Sequence, residues 1–146
     1  MALIYHLLKI KVYDPEEVYN ALTTSEGVQS WWTTDAEAYP AIESHAVFRF
    51  SDSYQKTMRV VELLPDRRVL WECIEGHNQW LGTTIAFEIE PVAGGIDLRL
   101  YHAGWEEETD LYAHCNYHWA LYLGSLKSYL ETGKGKPHPV PALKEA

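Results

Sequence analysis

The 146 residues carry 21 Asp and Glu against 12 Lys and Arg, a formal net charge of −9, with 47% hydrophobic and 23% charged residues. That is the balance of one globular domain, long enough to bury about two-thirds of its unfolded surface without a disulfide or structural metal. The acidic balance argues against nucleic acid as a partner. No window offers the roughly 20 apolar residues of a membrane span, and Met1 to Pro15 alternates like a strand instead of resembling a signal peptide. The two cysteines, Cys73 and Cys115, make no disulfide framework, so a reducing cytoplasm is the expected compartment.

From Leu3 to Val12, the residues Ile4, His6, Leu8, Ile10 and Val12 share one face, the two-residue period of a strand. Asp14 ahead of Pro15-Glu16-Glu17 supplies an N-cap, a proline at the first helical position and acids at the positive end of the helix dipole. A short helix follows, with Val18 and Leu22 facing the core. Thr24-Ser25-Glu26-Gly27 interrupts it, and Val28 to Trp32 adds a second helical turn or two. Thr33 to Ser44, with Pro40, reads as a loop.

Strands come next. Ala46, Phe48 and Phe50 alternate, and Thr57 to Leu64 is a β-branched and apolar run. The turn Leu64-Pro65-Asp66-Arg67 leads into Val69, Trp71 and Cys73. After the loop Gly76 to Gln79, the residues Thr83, Ile85, Phe87 and Ile89 alternate; after Pro91 to Gly95, Ile96, Leu98, Leu100 and His102 do the same. Short connections predict an antiparallel meander of six to seven strands. Past the acidic stretch Gly104 to Asp110 the period becomes helical, with Tyr112, Trp119, Leu123, Leu126 and Leu130 running to Gly133, a good terminator. A helix of about 22 residues is roughly 33 Å long and can cross a whole sheet. Residues 1–133 are thus expected to form one domain and 134–146 a flexible, frayed tail.

The pattern VYDPEEVYNALTTSEGVQSWW (Val12 to Trp32), together with RVVELLPDRRVLWE (Arg59 to Glu72), LRLYHAGW (Leu98 to Trp105) and YHWALYLGSLKSYLETGKG (Tyr117 to Gly135), resembles the START and birch-pollen-allergen superfamily. Within it, the closer likeness is to the branch named for the activator of the heat-shock chaperone ATPase. The resemblance implies an α+β helix-grip fold, a curved antiparallel sheet wrapped around the C-terminal helix. It leaves function open, because that fold hosts lipid and hormone carriers, polyketide cyclases and chaperone co-factors.

Six tryptophans and ten tyrosines are the most unusual feature of the composition. Trp31, Trp32, Trp71, Trp80, Trp105 and Trp119 are expected to converge on an aromatic-walled pocket, although each alone is more often ordinary core. His102 points inward by alternation with Leu98 and Leu100. It is either held by Tyr112, Glu72 or a backbone carbonyl, or it orients a ligand or transfers a proton. His102, Tyr112 and Glu72 are the candidate polar anchors, and His102 or Glu72 the candidate acid or base.

His114 and His118 stand one helical turn apart beside Cys115, but no motif supplies further ligands, so a metal is not expected and the pair reads as surface. His77 reads as solvated. No cofactor motif is present. The leading expectation is binding of a small hydrophobic or aromatic molecule. A cofactor-independent cyclase or hydratase in the same pocket, or an adaptor docking on a chaperone, are the alternatives, and a homodimer or other protein partner is left open.

Overall fold

A computed structural model describes residues 2–139 of the chain. Strand β1 (Ala2–Ile10) leads to helices α1 (Pro15–Thr23) and α2 (Ser25–Trp31). Strands β2 (Asp35–Glu37), β3 (His45–Ser51), β4 (Tyr54–Leu64), β5 (Arg68–Glu75), β6 (Thr84–Val92) and β7 (Gly95–Trp105) follow, and helix α3 (Asp110–Thr132) comes last. The strands form one antiparallel sheet in the order β1-β7-β6-β5-β4-β3-β2. This is the helix-grip architecture. Register shifts in the β1/β7, β3/β4 and β4/β5 pairs bend and twist the sheet towards α3.

Local chemistry places each helix. Asp14 accepts a hydrogen bond from the Glu16 amide at 2.9 Å and so caps α1. Thr24 closes α1 by donating its amide to the Asn20 carbonyl and opens α2 by accepting from the Gly27 amide, which makes the corner between them abrupt. Thr109 caps α3, and Gly133 ends it in the left-handed conformation at φ 84°. Helix α3 is tied to β1 at two points and to the residue after it at a third: the Tyr112 hydroxyl donates to the Leu3 carbonyl at 2.7 Å, Asn116 meets His6 at 2.8 Å, and Glu131 accepts from the Lys11 amide at 2.7 Å.

The two faces of the sheet divide the side chains cleanly. Trp71, Ile85, Phe87, Leu98 and Leu100 fill the inner face. The outer face carries cross-strand ion pairs such as Arg59 with Glu72 at 2.9 Å and Arg68 with Glu88 at 2.6 Å.

Two expectations are corrected. Thr33 to Ser44 is not wholly a loop: Asp35–Glu37 adds a seventh strand at the edge of the sheet, where Arg49 of β3 pairs with Asp35 at 3.1 Å and Glu37 at 3.2 Å. Its three residues have no strand propensity of their own; the pairing partner decides. The expected frayed tail is also pinned as far as it is described. The Lys136 amide donates to Ser125 Oγ at 2.6 Å, the His138 amide to the Trp32 carbonyl at 2.7 Å, and the His138 carbonyl accepts from the Thr34 amide at 3.0 Å. Gly135 passes so close to the Ser30 carbonyl that a Cβ there would collide with it. Residues 140–146 of the expected tail lie outside the described residues.

Candidate functional site

On β4 the residues Met58 and Val60 are buried on the inner face. Continuing the same two-residue period towards the start of the strand brings Lys56 and Tyr54 to that face, at the end of β4 that α3 leaves uncovered. A cavity of about 330 Å3 opens there. Its walls are Trp32 from the end of α2, Phe50 from β3, His77 and Trp80 from the β5–β6 connection, and the first half of α3, which presents Leu111, His114, Cys115, His118, Trp119 and Tyr122. His138, held by donation from Nε2 to the Phe50 carbonyl at 2.7 Å, completes the rim.

Lys56 is the unusual member. Its Nζ lies 3.8 Å from the centroid of the Trp80 ring, 4.8 Å from Phe50, 5.7 Å from Tyr54 and 5.9 Å from Trp32. Ring faces attract an ammonium, but they do not hydrogen-bond its three protons. Among the described residues no carboxylate lies within ion-pair distance of Lys56, and no carboxylate lines the cavity. Burial among the rings pushes Lys56 down from 10.5 to about 8, so it remains largely protonated at neutral pH.

The surrounding groups are mostly neutral. Burial raises both Cys73 and Cys115, which stay thiols, and Cys115 Sγ accepts the Trp80 indole N–H at 3.3 Å, fixing that ring beside Lys56. Burial, reinforced by His114 at a ring separation of 4.1 Å, lowers His118. No group of three or more His, Cys, Asp or Glu able to hold a metal ion occurs among the described residues.

The tryptophans and polar anchors expected at a pocket divide between two places. Trp32, Trp80 and Trp119 line the cavity. Trp31 and Trp71 are core beneath it: the Trp31 indole donates to the Ala21 carbonyl at 2.8 Å, and Trp71 stacks parallel to Trp32 at 6.2 Å. Trp105 is buried with its indole nitrogen unpartnered among the described residues, and Tyr112 is the clamp to β1 already described.

His102 does not line the cavity, because both ring nitrogens are engaged below it. Nδ1 accepts from Trp119 Nε1 at 3.0 Å. Since an indole only donates, the proton of the neutral ring sits on Nε2, which faces Thr83 Oγ1 at 2.9 Å; Thr83 in turn donates to the Trp80 carbonyl at 2.6 Å. Burial, helped by the charge of Lys56, holds His102 down at about 3. Its partners are therefore Thr83 and Trp119, not Tyr112 or Glu72. Glu72 faces the opposite side of the sheet, paired with Arg59, because alternation along β5 puts Trp71 and Cys73 inside and Glu72 out.

Sequence reasoning missed Lys56, His77, His138 and the inward turn of His114 and His118. Lys56 was legible: stepping back two residues at a time from Val60 reaches it. The contributions of His77 and His138 depend on how a loop and a C-terminal segment return to the body, which no local period encodes.

The family model described as "Activator of Hsp90 ATPase homolog 1-like protein" matches residues 13–131. The chain belongs to this family. A solved relative, the Aha1 dimer from Colwellia psychrerythraea, is 40% identical, superimposes with a TM-score of 0.84, and is matched over 92% of this chain and 100% of its own. SSP2350 from Staphylococcus saprophyticus, at 15% identity and a TM-score of 0.76 over 92% of this chain and 95% of that one, shares the fold. So does DynU16, a protein of the dynemicin biosynthetic locus, at 19% identity and 0.74 over 91% of this chain and 48% of its own. Among curated proteins none matches. Like the helix-grip architecture, membership of this family is consistent with ligand binding or a chaperone-adaptor role. No helix among the described residues is long and apolar enough to cross a membrane.

Proposed function

We propose that this chain binds a small, ring-containing hydrophobic molecule in the cavity between the sheet and the first half of α3. The supporting observation is the lining: three indoles, Phe50, Tyr54, Tyr122 and Leu111 around a void of about 330 Å3, at the lower end of the range for small-molecule sites. Burying roughly 150–250 Å2 of a flat aromatic body at about 25 cal/mol per Å2 offers about 4–6 kcal/mol before association costs, which points to micromolar or weaker binding from the apolar walls alone. Calorimetric titration with uncharged bicyclic aromatics tests the reading. Saturable binding to the native chain, lost in Leu111→Trp where the larger side chain occupies the void, supports it; no heat across the panel removes it. The hydrogen bonds of His102 to Trp119 and Thr83 and the outward pairing of Glu72 favour the binding reading over the enzyme alternative.

A second reading concerns self-association. The Colwellia relative is a dimer, and here Leu3, Tyr5 and Leu7 of the edge strand β1 are 49%, 49% and 44% exposed along one outer strip. A homodimer through that strip would sediment as a monomer after Tyr5→Lys, and a native chain that sediments as a monomer at high concentration would end the idea.

A further inference from the structure

We propose that the occupant of the cavity carries a carboxylate on its aromatic body, and that this group pairs with Lys56 Nζ. The inference rests on the binding reading above and names the chemistry its ligand must have.

The argument begins from an imbalance. The chain has 21 acidic side chains, yet among the described residues none lines this cavity, while a lysine and four histidines do. Other cations on the sheet have carboxylate partners: Arg49, Arg59, Arg68 and Arg99 each hold one or two, and Lys9 holds Asp97 at 3.2 Å. Among the described residues Lys56 has ring faces only. An ammonium partly shielded from water by aromatic rings keeps its charge at a cost that an entering anion relieves, because a charge-assisted hydrogen bond gains strength in an apolar surround.

The geometry also selects the kind of anion. Ring atoms of Trp80, Phe50 and Trp32 flank the ammonium, so the charged head and a flat apolar body would be seated side by side. Among the described residues the lining offers one lysine ammonium and no arginine fork, which suits a monoanionic carboxylate better than a phosphate dianion needing several donors.

The protonation chemistry agrees. Lys56, depressed to about 8, is pulled back towards its ordinary value when a carboxylate arrives, so binding is linked to proton retention. Facing groups are Tyr54 and Cys73 from the sheet, His77 from the β5–β6 connection, His114, Cys115, His118 and Tyr122 from α3, and His138 from the C-terminal segment. Burial raises both thiols and both tyrosines, which leaves Lys56 as the group that changes charge as pH passes through 8.

The test is calorimetric titration of the full chain with 2-naphthoate, 2-naphthamide and 2-naphthyl phosphate, which share one ring system. The native chain should bind naphthoate about tenfold to a hundredfold more tightly than naphthamide, with the phosphate weaker than the carboxylate. Above pH 8 naphthoate affinity should fall about tenfold per pH unit while naphthamide affinity stays level. Lys56→Met should erase the preference for naphthoate over naphthamide, and Lys56→Arg should restore much of it. Equal affinities for naphthoate and naphthamide in the native chain overturn the carboxylate inference and leave the cavity a neutral binder. Preference for the phosphate replaces the carboxylate with a different anion and equally overturns it. Absence of binding by all three removes the binding reading together with the inference.

Discussion

The indole N–H of Trp119 on α3 donates to Nδ1 of His102 on β7 at 3.0 Å, joining the long helix to the floor of the sheet by a fully buried hydrogen bond. The line continues through His102 Nε2 to Thr83 and from Thr83 to the Trp80 carbonyl. One end carries Trp119 and the other Trp80, so a histidine outside the cavity positions two of its walls.

Thr83→Val keeps the shape of the side chain but leaves the Nε2 proton without an acceptor. A buried unsatisfied donor costs about 1–3 kcal/mol, which denaturant unfolding should report as a lower midpoint at unchanged slope. Because the same line positions Trp80 and Trp119, affinity for an uncharged aromatic should fall together with stability. A large loss of affinity with intact stability would instead place His102 and Thr83 in the binding site.

The same line predicts acid sensitivity. His102 is held near 3 in the folded chain against 6.5 when unfolded, so between those values the unfolded chain binds the extra proton. Stability therefore falls as pH drops through that window, by about 1.4 kcal/mol per pH unit from this group alone, and its contribution is complete above pH 6.5. His102→Gln should be less stable than the native chain at pH 7 and show a shallower loss towards pH 4. An equally steep loss would assign the acid transition to other groups.

Lys56 has the opposite window. With a folded value of about 8 against 10.5 unfolded, its charge penalises folding below pH 8, and the penalty disappears as pH rises to 10.5. That drop corresponds to about 3 kcal/mol, which the partial exposure of Lys56 discounts to about 1–2 kcal/mol. Lys56→Met should raise stability at pH 7 by about 1–2 kcal/mol and abolish the rise across the alkaline window. A less stable Met variant would mean that Lys56 is integral to the packing.

Two buried tryptophans make a paired test. Trp31 donates its indole N–H to the Ala21 carbonyl, whereas the Trp105 N–H has no partner among the described residues. Replacement by phenylalanine creates a comparable void in both, but only Trp31→Phe also breaks a hydrogen bond, while Trp105→Phe removes an orphan donor. Thermal unfolding should rank Trp31→Phe about 1–3 kcal/mol below Trp105→Phe. The reverse order would show that Trp105 is satisfied in solution.

Much of this protein was legible in its residues. Periods of two and of three to four residues, Asp14 before Pro15, and Gly133 after the last apolar turn fix β1, α1, the meander and α3, because those signals are set by backbone geometry within a few residues. The inward face of His102 and the outward face of Glu72 follow from the same alternation. What tertiary structure decided is which inward residues meet solid packing and which meet space. Trp71 and Trp32 are both buried aromatics that stack on one another, yet only Trp32 borders the void, because α3 packs closely over one part of the sheet and leaves the ends of β3 and β4 uncovered. The same gap turns Lys56, an ordinary strand lysine by sequence, into an ammonium without an anion, and the return of His138 to Phe50 closes the rim. Local patterning sets the direction of a side chain; the distance to the element opposite it is set by the whole fold.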